Sequence, residues 1–271
     1  MGEQLPHVAA LQSVLSQIDD LAVAVSGGVD SLTLACFAHR LHPGRVAMFH
    51  AVSPAVADEG TQRTRELAAK EGWDLRVIDA GEFESRDYLS NPVNRCFYCK
   101  TSLYAAIRPH TDAQIVSGTN VDDLGEYRPG LEAAKVHSVR HPFVEAGLTK
   151  RSVRALSRDL GLAEVADLPA SPCLASRVET GIAIDPAVLR NIHATEQLVS
   201  RALAPETVRC RVRASGIVIE LDAVHLASVN DSQRQLLERE IHALFVGTHP
   251  HATVRFEPYR TGSAFLHFRR L

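Results

Sequence analysis

Residues 21–31 read LAVAVSGGVDS: an apolar run of strand length, Leu21-Ala22-Val23-Ala24-Val25, then a turn of small residues, then a helical pattern that begins at Ser31. A strand that ends in glycines and feeds a helix N-terminus is a layout that holds phosphate. Gly27 and Gly28 let the main chain approach an anion with no Cβ in the way, Ser26 and Ser31 add hydroxyl donors, and the helix dipole favours negative charge there. Small Gly/Ser clusters are usually only flexible turns. What separates this one is the match of six positions, SGGVDS, in a strand-to-helix context at the first strand of an α/β series.

Working outward, residues 5–19 read as an opening amphipathic helix and about 31–41 as the helix after the loop. Arg45 to Val52 is a second strand, 56–72 a helix with Gly72 as its C-cap, and Leu75 to Asp79 a third strand. This βαβαβ series predicts an α/β fold with a parallel sheet, right-handed crossovers and a ligand at the carboxyl ends of the strands. An irregular stretch, 81–95, leads to a helix at about 96–108 and a strand at Gln114 to Ser117. SGTNVDDLGEYRPG (117–130) is then a second loop at a strand's carboxyl end, with Thr119 and Asn120 as candidate ATP ligands.

Further on, Thr149 caps a helix that runs to about Leu160 and Gly161 closes it. The turn-rich segment DLPASPCLASRVETG (167–181) forms a loop of the kind where function concentrates. Asp185-Pro186 opens a long helix to about Ala204. A hairpin of 206–213 and 216–221 turns around Ala214-Ser215-Gly216, followed by a helix at 231–246 and a strand at 251–256. Two domains are expected: residues 1–184 around the phosphate loop, and residues 185–271 as a bridging helix with a smaller α+β domain for substrate or oligomerisation.

The loop lacks the GK[ST] ending of Walker type. It resembles the PP-loop of ATP pyrophosphatases, whose pattern is SGGxDS. That resemblance implies cleavage of ATP between the α and β phosphates, with transfer of AMP to a substrate oxygen and release of pyrophosphate.

Composition sets the outer limits. At 271 residues and 45% hydrophobic content the chain supports one large or two modest cores. A formal net charge of −3 and a pI near 6.5 give no global basic footprint, so nucleic acid is not an expected partner. No apolar stretch approaches the roughly 20 residues a membrane span needs, and MGEQLPHVAA lacks the layout of a signal peptide, so no membrane partner and a cytoplasmic location are expected.

The five cysteines, an odd number with no export signal, argue for thiols rather than disulfides. Cys36, in a helical run, and Cys210, alternating with Val208 and Val212 on a strand, read as core residues. Cys96 and Cys99 lie three apart, on one face if the segment is helical, and Cys173 sits in the 167–181 loop. Three thiolates suit an iron–sulfur cluster with one open iron. A zinc site completed by a histidine, or cysteines with no metal, remain open on spacing alone.

NPVNRCFYCK (91–100), DDLGEYRPG (122–130), PFVEAGLTKRSVRALSRDLGL (142–162) and PASPCLASR (169–177), together with SGGVDS, resemble in order the signature blocks of the LarE family. The match runs from about residue 20 to 180 and loosens beyond. These are ATP-dependent sulfur transferases of nickel-pincer nucleotide cofactor synthesis. The resemblance implies ATP and Mg²⁺ as cofactors and a pyridinium dicarboxylate mononucleotide as substrate. Its carboxylate is adenylated and then becomes a thiocarboxylate. Cys173 falls on the cysteine that some members sacrifice as a sulfur source. Members that also carry the CxxC pair resemble holders of a [4Fe–4S] cluster, and this chain has all three thiols. The implied set is therefore Cys96, Cys99 and Cys173 as cluster ligands, recharged by a sulfur donor, in an expected homo-oligomer.

Further roles follow on the same basis. Asp30 is a candidate Mg²⁺ ligand, and Lys100 and Arg128 would offset charge developing on phosphate, with an exposed salt bridge as the plainer reading of each. Arg209, Arg211 and Arg213 share a strand face, which on its own reads as a solvent face with Glu220 as a diagonal partner. The resemblance instead assigns Arg177, Arg211, Arg213 and Glu220 to substrate. Glu126 replaces an expected aspartate, Pro172 precedes Cys173 where a small residue is usual, and Val178-Glu179-Thr180-Gly181 departs from the usual IPYG. Two alternatives stand beside this reading. One is a PP-loop tRNA thiolation enzyme, for which 25 arginines against 4 lysines could supply a surface. The other is an ATP- and metal-binding regulatory module without turnover.

Overall fold

The computed structural model of the chain describes residues 6–125 and 128–265, so Glu126 lies outside the described residues. Internal contacts divide the chain into two compact units, Met1–Phe83 with Cys96–Ser171 and Glu84–Arg95 with Pro172–Leu271.

The first unit is built on four parallel strands, β1 (Leu21–Ala24), β2 (Val46–Ala51), β3 (Asp74–Ile78) and β4 (Gln114–Ser117), in the order β3-β2-β1-β4. The α/β fold expected from the repeat is therefore observed. All four residues of β1 are buried, as a parallel strand covered on both faces requires. Leu21 and Val23 pack on one side with Leu11, Leu32, Phe37, Met48 and Val153, while Ala22 and Ala24 pack on the other with Phe49, Tyr104 and Ile107. The alternation of large and small residues thus sorts two cores with one strand between them.

Among the described residues six helices of eight residues or more accompany this sheet: α1 (Pro6–Leu15), α2 (Val29–Leu41), α3 (Asp58–Glu71), α4 (Arg95–Ile107), α5 (Pro129–Val136) and α6 (Lys150–Asp159). Gly72 ends α3 in the left-handed region at φ 71°, as its C-cap reading predicts. Thr149 caps α6 by accepting from the Ser152 amide, and Val153 and Leu156 face the core while Arg151 and Arg158 do not. Because β1 connects through α2 to β2 on one side and β4 lies on its other side, strand order reverses between β1 and β4. The carboxyl ends of those two strands are where such sheets take ligands.

Several boundaries in this unit differ from the sequence reading. The helix after the loop starts at Val29, two residues early, because Gly28 already has extended N-cap backbone. The first helix stops at Leu15, and the 117–130 loop gives way to α5 at Pro129, a residue suited to a first helical turn. No helix among the described residues is long and apolar enough to cross a membrane.

The second unit is the smaller α+β region. Strands β5 (Val208–Arg213) and β6 (Gly216–Leu221) form the expected antiparallel hairpin, and β7 (Val254–Pro258) joins β6 in parallel. β7 starts three residues later than its pattern suggested because His249–Ala252 closes a turn, with the Ala252 amide on the His249 carbonyl. Helix α7 (Pro186–Leu203) begins at Asp185, whose carboxylate accepts from the Ala187 and Val188 amides. Helices α8 (Ala223–Ser228) and α9 (Asp231–Phe245) follow, the latter opened by a reciprocal Asn230–Gln233 capping box. Leu189, Ile192, Cys210, Ile217, Ile219, Ile241 and Phe245 make the buried interior.

Candidate functional site

In the first unit the loop Ser26–Ser31 leaves the carboxyl end of β1 and is drawn into a tight ring by its own hydroxyls. Ser31 Oγ accepts from the Ser26 amide at 3.1 Å, lies 3.1 Å from Ser26 Oγ, and reaches the Gly28 carbonyl at 3.2 Å. Gly27 sits at φ 79°, and a Cβ there would lie 2.4 Å from the Gly60 carbonyl oxygen, so both the conformation and the space demand glycine. Arg63 fixes the same residue by donating to the Gly27 carbonyl at 2.6 Å. Helix α2 begins at once, and its N-cap, Gly28, carries no side-chain cap. A helix start of this kind directs first-turn amides and the positive dipole end at an anion.

The second loop closes against the first. A Cβ on Gly118 would lie 2.7 Å from both the Asp30 carbonyl carbon and the Ser31 nitrogen, so only glycine lets β4's exit lie flat on the start of α2. Asn120, 2% exposed, donates to Asp30 Oδ1 at 3.2 Å, and its own amide is held by Asp123 Oδ2 at 3.0 Å. Thr119 Oγ1 lies 3.1 Å from Ser117 Oγ, which in turn lies 2.9 Å from His141 Nδ1. Burial pushes the His141 pKa down, so the ring is neutral at neutral pH and orients the hydroxyl pair without adding charge. Ser26, Gly27, Gly28, Asp30, Ser31 and Asn120 are thus one contiguous group, with Thr119 hydrogen-bonded at its margin through Ser117.

Arg128 forms the plainer contact anticipated for it, a pair with Asp123 at 2.9 Å, its side chain 45% exposed. Lys100 lies on α4 with its ammonium 6.0 Å from the Tyr104 ring centre, and a Cβ on Gly130 would come within 3.2 Å of Lys100 Cγ.

Several residues at this site were not singled out by sequence reasoning. Lys150 pairs with Asp30 Oδ2 at 2.5 Å, Arg63 and Gly60 brace Gly27, and Gly118 permits the loop contact. For Lys150 the signal was available: a lysine directly after the helix N-cap Thr149 faces the positive end of the dipole, which argues for a nearby anion.

In the second unit the arginine-bearing strand face is not a solvent face. Arg211 is 4% exposed and Glu220 1%. Glu220 accepts from Arg211 Nε at 2.9 Å and from Arg213 Nη2 at 2.6 Å, while Arg213 also reaches Glu257 at 3.1 Å. The expected solvation fails because β6 and β7 bring two glutamates side by side, Glu220 opposite Glu257, and the arginines must turn inward to neutralise them. Arg177, also buried, is clamped by Glu196 through Nε and Nη2 and by the Pro172 and Cys173 carbonyls. Arg211 Nη1 donates to the Ser176 carbonyl, so Arg177, Arg211, Arg213 and Glu220 belong to one polar assembly. Arg209 stacks near Tyr259, and burial with the like charge of Arg177 lowers its pKa.

The thiols divide as read. Cys36 and Cys210 are fully buried, and desolvation pushes the first up to about 12 and the second well above the ordinary thiol range. Cys96 and Cys99 sit near the start of α4, three apart and therefore on one face, in the first unit; Cys173 is exposed in the second. Among the described residues no group of three or more His, Cys, Asp or Glu side chains is placed to hold a metal ion.

No protein-family model matches the chain. It is 34% identical over 215 residues to an uncharacterized protein of Synechocystis sp., covering 78% of this chain and 80% of that protein. An uncharacterized protein of Methanocaldococcus jannaschii is 23% identical over 223 residues, 81% of this chain and 84% of its own. The pyridinium-3,5-bisthiocarboxylic acid mononucleotide synthase of Lactiplantibacillus plantarum is 28% identical over 218 residues, 79% of this chain and 78% of that enzyme.

Proposed function

We propose, from the premise that this chain belongs to the LarE-like family of PP-loop proteins, that it is an ATP-dependent sulfur transferase. Its substrate would be a pyridinium-3,5-dicarboxylate mononucleotide, one carboxylate of which becomes a thiocarboxylate. The observation that carries the reading is the Ser26–Ser31 ring at the carboxyl end of β1, sealed by glycine contacts to the second loop and opening on an α2 start with no side-chain cap.

A carboxylate is a poor electrophile. Attack of its oxygen on the α-phosphorus of ATP forms an acyl adenylate and breaks the bond to the β-phosphate oxygen, releasing pyrophosphate. Backbone amides of the loop and the α2 dipole would stabilise the departing pyrophosphate, and Asp30 would offer a carboxylate to an accompanying Mg²⁺. A sulfur nucleophile then adds to the acyl carbon and expels AMP, leaving C–S where C–O stood. Arg177, Arg211 and Arg213 are the proposed anchors for substrate phosphate and carboxylate, held in place by Glu196 and Glu220.

The iron–sulfur part of this reading rests on thiol chemistry and the family resemblance, since the described side chains form no group placed to hold a metal ion. Cys96, Cys99 and Cys173 would hold a [4Fe–4S] cluster, which when bound supplies sulfur from an open iron.

Pyrophosphate release, with ATP, Mg²⁺ and the dicarboxylate mononucleotide present, tests the proposal. Release that requires the mononucleotide, accompanied by AMP and by a thiocarboxylate in the product mass spectrum, is expected. No mononucleotide-dependent release, together with stable binding of tRNA at physiological salt, would replace this reading with RNA thiolation.

A further inference from the structure

The cation paired with the carboxylate of the phosphate loop is a lysine. Lys150 Nζ lies 2.5 Å from Asp30 Oδ2, and the other carboxylate oxygen accepts from Asn120. Lys150 is also tied through its main chain, where its amide donates to Asp122 Oδ2 at 2.8 Å and the Asp122 amide donates to Asn120 Oδ1 at 3.0 Å. Lys150 is the first residue of α6, which has no acidic residue in its first turn. A cation there opposes the helix dipole, an electrostatic cost that Asp30 and Asp122 offset. The pair is partly open to water, with side chains 37% and 25% exposed, and a pair of that kind is weakly held.

Asp30 is at the same time the one carboxylate in the SGGVDS loop. No further pair of His, Cys, Asp or Glu side chains among the described residues completes a metal site with it. A divalent ion at Asp30 must therefore take most of its ligands from phosphate and water, as Mg²⁺ on nucleotides does.

Resting on the nucleotide reading above, we propose that Lys150 is a positioning residue that exchanges partners. It holds Asp30 until a nucleotide-borne divalent ion takes the carboxylate, and its ammonium then turns to the β- and γ-phosphates of the same nucleotide. The exchange makes metal loading conditional on nucleotide, because metal alone competes with Lys150 whereas the metal–nucleotide complex offers Lys150 a new anion. Nothing is bonded or broken covalently, and charge is conserved at each end of the swap.

The test uses the full chain and Mn²⁺, followed by electron paramagnetic resonance without nucleotide, beside calorimetric titration with ATP and Mg²⁺. Lys150→Met is expected to bind Mn²⁺ alone about fivefold more tightly than wild type, the size of an exposed ion pair. The same variant is expected to bind ATP with Mg²⁺ about tenfold more weakly. Lys150→Arg should return Mn²⁺ affinity to the wild-type value, and Lys150→Met/Asp30→Asn should lose the gain. Thermal unfolding checks the fold, with Lys150→Gln as the second variant. Unchanged Mn²⁺ affinity in both Lys150→Met and Lys150→Gln, or a gain that survives Asp30→Asn, overturns the exchange. Failure of wild type to bind ATP with Mg²⁺ would remove the nucleotide reading and the phosphate half of this proposal, and the Mn²⁺ comparison would still decide whether Lys150 guards Asp30.

Discussion

The two units carry ionic clusters of opposite character. Around the phosphate loop Asp30 and Lys150 are 25% and 37% exposed, and Asp123 and Arg128 are 20% and 45% exposed. On the arginine strand, Glu220 is 1% exposed and its partners Arg211 and Arg213 are 5% and 17% exposed. Pairs near water are worth roughly 0–1 kcal/mol and can be traded for a ligand's charges. Buried pairs cannot be traded, because a charge that loses its partner stays desolvated. The difference suits a first unit whose charges change partners on binding, and a second whose arginines are prepared in one orientation.

The largest expected effect breaks the buried cluster. Glu220→Ala leaves Arg211 and the Glu220-facing side of Arg213 without a counter-charge and should cost about 3–5 kcal/mol of stability. Urea unfolding measures it. A loss under about 1 kcal/mol would mean the cluster is hydrated in solution, and the contrast between the units would collapse.

A smaller effect probes the first unit through sterics rather than charge. Gly118→Ala puts a methyl 2.7 Å from the backbone of Asp30 and Ser31, atoms that have no flexible end to yield. Overpacking of this kind costs about 1–3 kcal/mol, and the displaced loop should also weaken ATP binding. Equal stability and equal ATP affinity in Gly118→Ala would show that the two loops do not bear on each other as tightly as this contact implies.

How far the sequence already announced these features depended on the kind of signal. The alternation Leu21-Ala22-Val23-Ala24 reports a strand buried on two faces, and Gly72, Thr149 and Asp185 mark helix ends by chemistry local to each, so the sheet and most helices were readable. SGGVDS was readable because a phosphate loop is built from consecutive residues. Lys150 was not assigned: its place after the Thr149 cap argues for a nearby anion, but the partner, Asp30, is 120 positions away and nothing local names it. The burial of the arginine strand was not legible for a related reason. Its alternation is a true strand signal, but what covers a polar face depends on a third strand, β7, whose glutamate arrives from 44 residues beyond Arg213. Arg63 and Gly60 were hidden similarly, as they act on Gly27 from a neighbouring helix.

The smallest expected effect separates the units by pH. His50 is fully buried on β2, with Nδ1 donating to the Val25 carbonyl at 2.9 Å and Nε2 accepting from Thr61 Oγ1 at 2.9 Å. Burial lowers its pKa, and does the same to His141 beside Ser117. Both lie in the first unit. A histidine whose folded pKa is depressed below 6.5 gives its full stability above that value and loses it as pH falls through 6.5 toward the folded pKa, because the unfolded chain takes the proton first. In the second unit, Asp222 is held down to about 2, chiefly by the His225 amide, and its contribution is lost only as pH falls below 3.8. Stability should therefore decline between pH 7.5 and 5.5 by less than either substitution costs, and His50→Gln, though less stable throughout, should show a shallower slope over that window. A slope unchanged by His50→Gln would mean that the acid-sensitive group lies elsewhere. His141, the other depressed histidine of the first unit, would then be the next group to replace.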